Sequence, residues 1–193
     1  VNKPETWSER TVAENSTRGR KIAISGKSGC GNSTVSRIVA EKLGFRLVNY
    51  TFRALADETG ISFTELRRLA EQDLSWDRYL DQRQVELART GDTVLGSRLA
   101  VWLLEDADLK IYLTAPPEVR ARRIQNREGG DFDAVMRETL MRDERDRSRY
   151  LKLYGIDNDK YDFVDVIVDT SNYEPEGVAD RIIHEARSRA LVR

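Results

Sequence analysis

The chain has 193 residues, enough for one domain with a substantial core. A formal net charge of −1, with 34% charged residues, gives no footing for nucleic-acid or membrane binding. Its one cysteine excludes an internal disulfide, and no apolar run approaches the roughly 18 residues of a membrane span.

Residues 1–20 are polar and aperiodic and read as a flexible N-terminal extension. They lack the apolar core of a signal peptide, so the chain reads as cytoplasmic. From Lys21 strands alternate with helices. Strand Lys21–Ser25 is followed by helix Ser33–Leu43, closed by Gly44. Strand Phe45–Val48 leads into helix Thr51–Thr59. The capping box Ser62-Phe63-Thr64-Glu65 opens the next helix, and Trp76–Arg89 forms another. Thr93–Leu95 and Leu109–Leu113 read as strands. Pro116-Pro117 opens a helix to about Arg127, broken by Gly129-Gly130. Asp131 caps a long helix through Tyr150, Phe163–Val168 reads as the fifth strand, and Pro175–Ala190 as the last helix. This order predicts an α/β fold with a parallel sheet covered on both faces, and a ligand site beyond the carboxyl ends of the strands.

The stretch Gly26-Lys27-Ser28-Gly29-Cys30-Gly31-Asn32-Ser33-Thr34 joins the first strand to the first helix. It meets the phosphate-loop pattern G-x-x-x-x-G-K-[ST] except that Asn32 stands where lysine is expected. Backbone N–H groups and the helix N-terminus form an anion cradle there, with the Ser33 hydroxyl placed for Mg²⁺. Asn donates a hydrogen bond but carries no charge. Lys27 is either a substitute cation or a solvated loop side chain.

Arginines gather in two further places. Arg142, Arg145, Asp146 and Arg149 share one helix face, which suits a phosphate and a ribose; pairs such as Glu138–Arg142 would also suit a solvated helix. Arg120, Arg123 and Arg127 share a face ahead of the glycine pair, as in a lid that closes over phosphates or in a charged surface helix. Arg53 and Arg98 follow the second and third strands, in the region of an acceptor phosphate or base. His184 reads as structural. There is no Cys/His cluster for zinc and no nucleophile–His arrangement.

Taken together these stretches resemble the cytidylate kinases, especially the short archaeal-type branch, from about Lys21 to the C-terminus. The most telling are F-R-A-L-A-D-E-T-G (Phe52–Gly60), D-x-x-L-D-x-R-Q (Asp77–Gln84), S-R-L-A-V-W (Ser97–Trp102), A-P-P-E-V-R-A-R-R-I (Ala115–Ile124) and R-Y-L-K-L-Y-G-I-D (Arg149–Asp157). The resemblance implies a three-layer P-loop kinase fold on a five-stranded parallel sheet. It also implies an acceptor-binding segment at about 49–90 and a lid at about 118–130. It implies ATP and Mg²⁺ as cofactors and transfer of the γ-phosphoryl to CMP or dCMP by a monomer or weak homo-oligomer. Residues 26–34 would bind ATP. Arg53, Arg98, Arg142, Asp146 and Arg149 would hold the acceptor, and Arg120, Arg123 and Arg142 would act in transfer, joined by Lys27 if it substitutes for the missing lysine. The chain departs from the family pattern at Asn32, at Gly96 in place of an acidic residue, and at Asn49-Tyr50 in a shortened acceptor loop. These departures leave open a changed acceptor, or a nucleotide-binding regulatory protein without transfer activity.

Overall fold

The computed structural model describes residues 19–192. Five strands and eight helices follow in the order β1 (Lys21–Gly26), α1 (Asn32–Leu43), β2 (Arg46–Val48), α2 (Phe52–Thr59), α3 (Phe63–Gln72), α4 (Ser75–Ala88), β3 (Thr93–Gly96), α5 (Ala100–Leu103), β4 (Leu109–Thr114), α6 (Pro117–Glu128), α7 (Phe132–Tyr154), β5 (Val166–Asp169) and α8 (Pro175–Ser188). The sheet has the order β2-β3-β1-β4-β5, and every neighbouring pair is parallel.

β1 is central, and all six of its residues are buried. Its alternation assigns one set of side chains to each face. Ile22 and Ile24 join Val35, Ile38 and Val39 of α1 and Val178, Ile182 and Ile183 of α8. Ala23 faces the opposite layer with Leu95, Ala100, Val101, Leu104 and Tyr112. Helices α2, α3 and α4 enclose a separate small core of Leu55, Ala56, Leu66, Ala70 and Trp76. That segment therefore holds its own shape beside the sheet.

Two boundaries are corrected and one element is added. β5 begins at Val166 rather than Phe163, because Phe163 turns onto Trp102 (ring centroids 5.7 Å apart) and Asp165 accepts from the Lys110 backbone N–H at 2.7 Å. α7 continues past Tyr150 to Tyr154 and stops where Gly155 takes φ 68°. The one-turn helix α5 was not expected from the sequence, since four residues are too few to show a period. The expected N-terminal extension lies outside the described residues apart from Gly19 and Arg20. Arg20 bonds Asp92 through its backbone N–H and its guanidinium.

Candidate active site

The loop of residues 27–31 leaves the buried end of β1 and delivers its amides to the start of α1. It is braced from beneath. Arg120, 3% exposed on α6, donates to the Ser28 carbonyl at 3.0 Å and to the Ala115 carbonyl at 3.2 Å. Its fork also grips both oxygens of Asp143 on α7, at 3.1 and 2.6 Å. Gly29 has φ 84°, and a Cβ there would meet Arg120 at 2.8 Å, so the loop needs glycine at this point on both grounds. Arg123 donates to the Thr170 carbonyl at 2.6 Å and to its hydroxyl oxygen at 2.8 Å, while the Thr170 hydroxyl lies 3.3 Å from the Cys30 carbonyl. The loop is thus tied to α6, α7 and the end of β5.

Above the loop opens a cleft of about 1070 Å³. It is lined by residues 26–34 together with Arg98, Arg123, Arg127, Arg142, Asp146 and Arg149. Among the described residues Arg142 donates one hydrogen bond, to the Ser28 hydroxyl oxygen at 3.3 Å, and it lies near the Asp146 carboxylate. Arg98 pairs with Asp146 at 2.5 Å, and Arg149 pairs with Asp77. Burial raises the carboxyl pKa of Asp146 and of Asp77, against the pull of these guanidinium groups.

Several residues singled out from sequence lie elsewhere. Arg145 does not join the cleft face: it sits at the margin of the stripe, where Glu138 captures it on the solvent side. Arg53 does not line the cleft either and lies over the Phe63 ring, 4.8 Å from its centroid. Arg120 is beneath the loop rather than in the cleft. Lys27 lines the cleft, but its ammonium is 2.5 Å from Asp159 and 3.9 Å from Asp143. Gly96 has a steric reason: a Cβ there would lie 2.5 Å from the Ser36 Oγ and 2.7 Å from its Cβ.

The side chains of the far wall were not singled out from the sequence as site residues. Tyr50, Asp77, Asp81 and Gln84 line it. Gln84, 6% exposed, donates to the Tyr50 carbonyl at 2.6 Å. Asp81 accepts from the Tyr154 hydroxyl at 2.7 Å, and burial lifts its pKa to about 6. The signal was present, since Asp77, Asp81 and Gln84 are spaced i, i+4, i+7 along α4 and form a polar stripe on one face.

Among the described residues no group of three or more His, Cys, Asp or Glu side chains could hold a metal. A cation here would depend on oxygens of a bound ligand, water and a hydroxyl, and Ser33 is exposed in the cleft at the start of α1.

Residues 21–172 match the model of the cytidylate kinase-like family. The chain is 47% identical over 175 residues to cytidylate kinase 2 of Borreliella burgdorferi, covering 89% of this chain and 97% of that protein. It is 42% identical over 166 residues to the cytidylate kinase of Archaeoglobus fulgidus, covering 84% and 92%. Among solved structures, the shikimate kinase of Bacteroides thetaiotaomicron shares the fold with TM-score 0.59 at 14% identity, covering 87% of this chain and 98% of that one. The M. mycoides deoxyadenosine kinase with bound dCTP does so with TM-score 0.52 at 19% identity, covering 87% and 99%. The five-stranded parallel sheet, the loop at its centre and the extent of these matches agree: the chain belongs to the cytidylate kinase-like family.

Proposed function

We propose that the protein is a nucleoside monophosphate kinase that transfers the γ-phosphoryl group of ATP to CMP or dCMP. The observation that carries this reading is one cleft shared by the glycine loop and Arg142, whose guanidinium has one long hydrogen bond among the described residues. Such a cation is available to a phosphate. The relatives named cytidylate kinase supply the acceptor.

In this reading the loop amides and the N-terminus of α1 bind the β and γ phosphates. Mg²⁺, when bound, neutralises phosphate charge, and Ser33 supplies it a hydroxyl ligand. Arg98, Arg142 and Arg149 place the acceptor phosphate in line, and Asp146 accepts from the ribose. Arg123 and Arg127, within the proposed lid, line the same cleft. Arg120 acts through the loop it braces, so its part is positioning. Helices α2–α4 form the acceptor-binding segment, with Asp77, Asp81 and Gln84 toward the base. Transfer then rests on orientation and electrostatics, with no covalent protein intermediate.

A coupled assay for ADP formation against CMP, dCMP, UMP, AMP and shikimate tests this. CMP or dCMP is expected to give the highest kcat/KM. Preference for another acceptor would replace the substrate assignment. Nucleotide binding without turnover of any acceptor would replace the enzyme reading with a regulatory one, for which Asn32 gives the motive.

A further inference from the structure

Asn32 is the first residue of α1 and lines the cleft at the place where the loop pattern has lysine. Its planar amide presents either an oxygen or an NH2 group to whatever lies there. One turn further on, Ser36 is fully buried, and its hydroxyl donates to the Asn32 Oδ1 at 3.0 Å. Fixing the oxygen inward turns the amide nitrogen outward. Among the described residues that nitrogen has no recorded acceptor. Ser36 itself has room only because residue 96 is glycine: a Cβ at the end of β3 would come within 2.5 Å of its Oγ. Gly96, Ser36 and Asn32 thus form a stack from the sheet to the cleft.

We infer that Ser36 is a positioning residue for phosphoryl transfer: it locks the Asn32 amide so that its nitrogen donates to the phosphates of the bound nucleoside triphosphate. The inference rests on the kinase reading above. A phosphate outside and a hydroxyl donor inside select the same orientation of the amide. The loop then meets phosphate charge with an oriented neutral donor at this position. Gly96, which reads from sequence as a lost acidic residue, is the space that makes the lock possible.

Steady-state kinetics with ATP and CMP, ATP-analogue binding and thermal unfolding test this on the full chain. Ser36→Ala keeps Asn32 but frees its amide to turn. It should lower kcat about tenfold with the KM for CMP unchanged and with little change in Tm. The swap Ser36→Gly with Gly96→Ala refills the same space without a hydroxyl and should show the same loss of kcat. Asn32→Asp still accepts from Ser36 and suits a helix N-terminus, so it folds, but it turns an oxygen anion toward the phosphates. It should lose about 100-fold or more in kcat. A kcat within twofold of wild type in both Ser36 variants, or in Asn32→Asp, overturns the assignment. If the wild-type chain phosphorylates none of the acceptors above, the kinase reading fails instead. The lock is then judged by calorimetry with a non-hydrolysable ATP analogue: affinity at least threefold weaker in Ser36→Ala and Asn32→Asp supports it, and equal affinities overturn it.

Discussion

Helices α6 and α7 each send arginines toward the glycine loop, and the two sets are held differently. On α6, Arg120 gives four of its five N–H donors to two backbone carbonyls and a carboxylate, and Arg123 is fastened to Thr170. On α7, Arg142 touches one hydroxyl oxygen at 3.3 Å. A guanidinium has five donors, and whether the protein uses them determines what remains for a ligand. The α6 pair therefore builds the cradle and Arg142 faces its contents. Arg120, Arg123 and Arg142 look equivalent in sequence, and what already binds each one separates the cradle from the cation that faces its contents.

Substituting each of these arginines separates the two roles. Arg142→Ala should lower kcat on the order of 10³-fold or more, at least about 4 kcal/mol of transition-state stabilisation, while leaving thermal unfolding unchanged. A normal rate would remove Arg142 from the ligand-facing set. Arg120→Ala should act the other way, destabilising the fold by about 3 kcal/mol in denaturant titration, because Asp143 and the Ser28 carbonyl lose their partner. Arg120→Lys should recover little of this, since an ammonium cannot reproduce the fork.

Asp81 sharpens the picture of the far wall. Its folded pKa of about 6 lies above the ordinary 3.8, because burial disfavours the ionised form. The folded state therefore holds this proton more tightly than the unfolded state does. Stability from this group is greatest below pH 4 and is lost as pH rises toward 6. Asp81→Asn should match wild type near pH 4 and exceed it on the order of 2 kcal/mol above pH 6 in denaturant titrations. A constant difference across pH would show that the carboxyl is not strained by burial.

The smallest effect is expected at Lys27. Its pairs with Asp159 and Asp143 are partly exposed, so Lys27→Ala should change stability by less than about 1 kcal/mol. It should lower kcat less than tenfold, because in this structure carboxylates already hold the ammonium. A loss of several orders of magnitude would show that nucleotide binding draws Lys27 away from them, placing it with Arg142 rather than with Arg120.

The layer order of the fold was legible because strand and helix periods, glycine stops and capping residues punctuate the chain. The glycine loop was legible because its spacing encodes backbone geometry. The division among the arginines was not. Helical periodicity put Arg142 and Arg145 on one face, but the capture of Arg145 by Glu138 is a choice among neighbours that spacing leaves open. Arg120 and Asp143 are 23 residues apart and meet only when α6 packs on α7. Gly96 reads from sequence as a missing carboxylate, and only the position of Ser36 against β3 reveals its steric purpose.

Cys30 is the one cysteine of the chain and sits in the middle of the loop at 2% exposure. Burial pushes its thiol pKa up to about 11, so at neutral pH it is protonated as well as hidden. Alkylation must then wait for the loop to open, and its rate is a clock for that opening. The wild-type chain carries its own reporter, with no label to engineer and no competing thiol. Protection by a nucleotide would read occupancy of the cradle directly, whichever acceptor the protein uses.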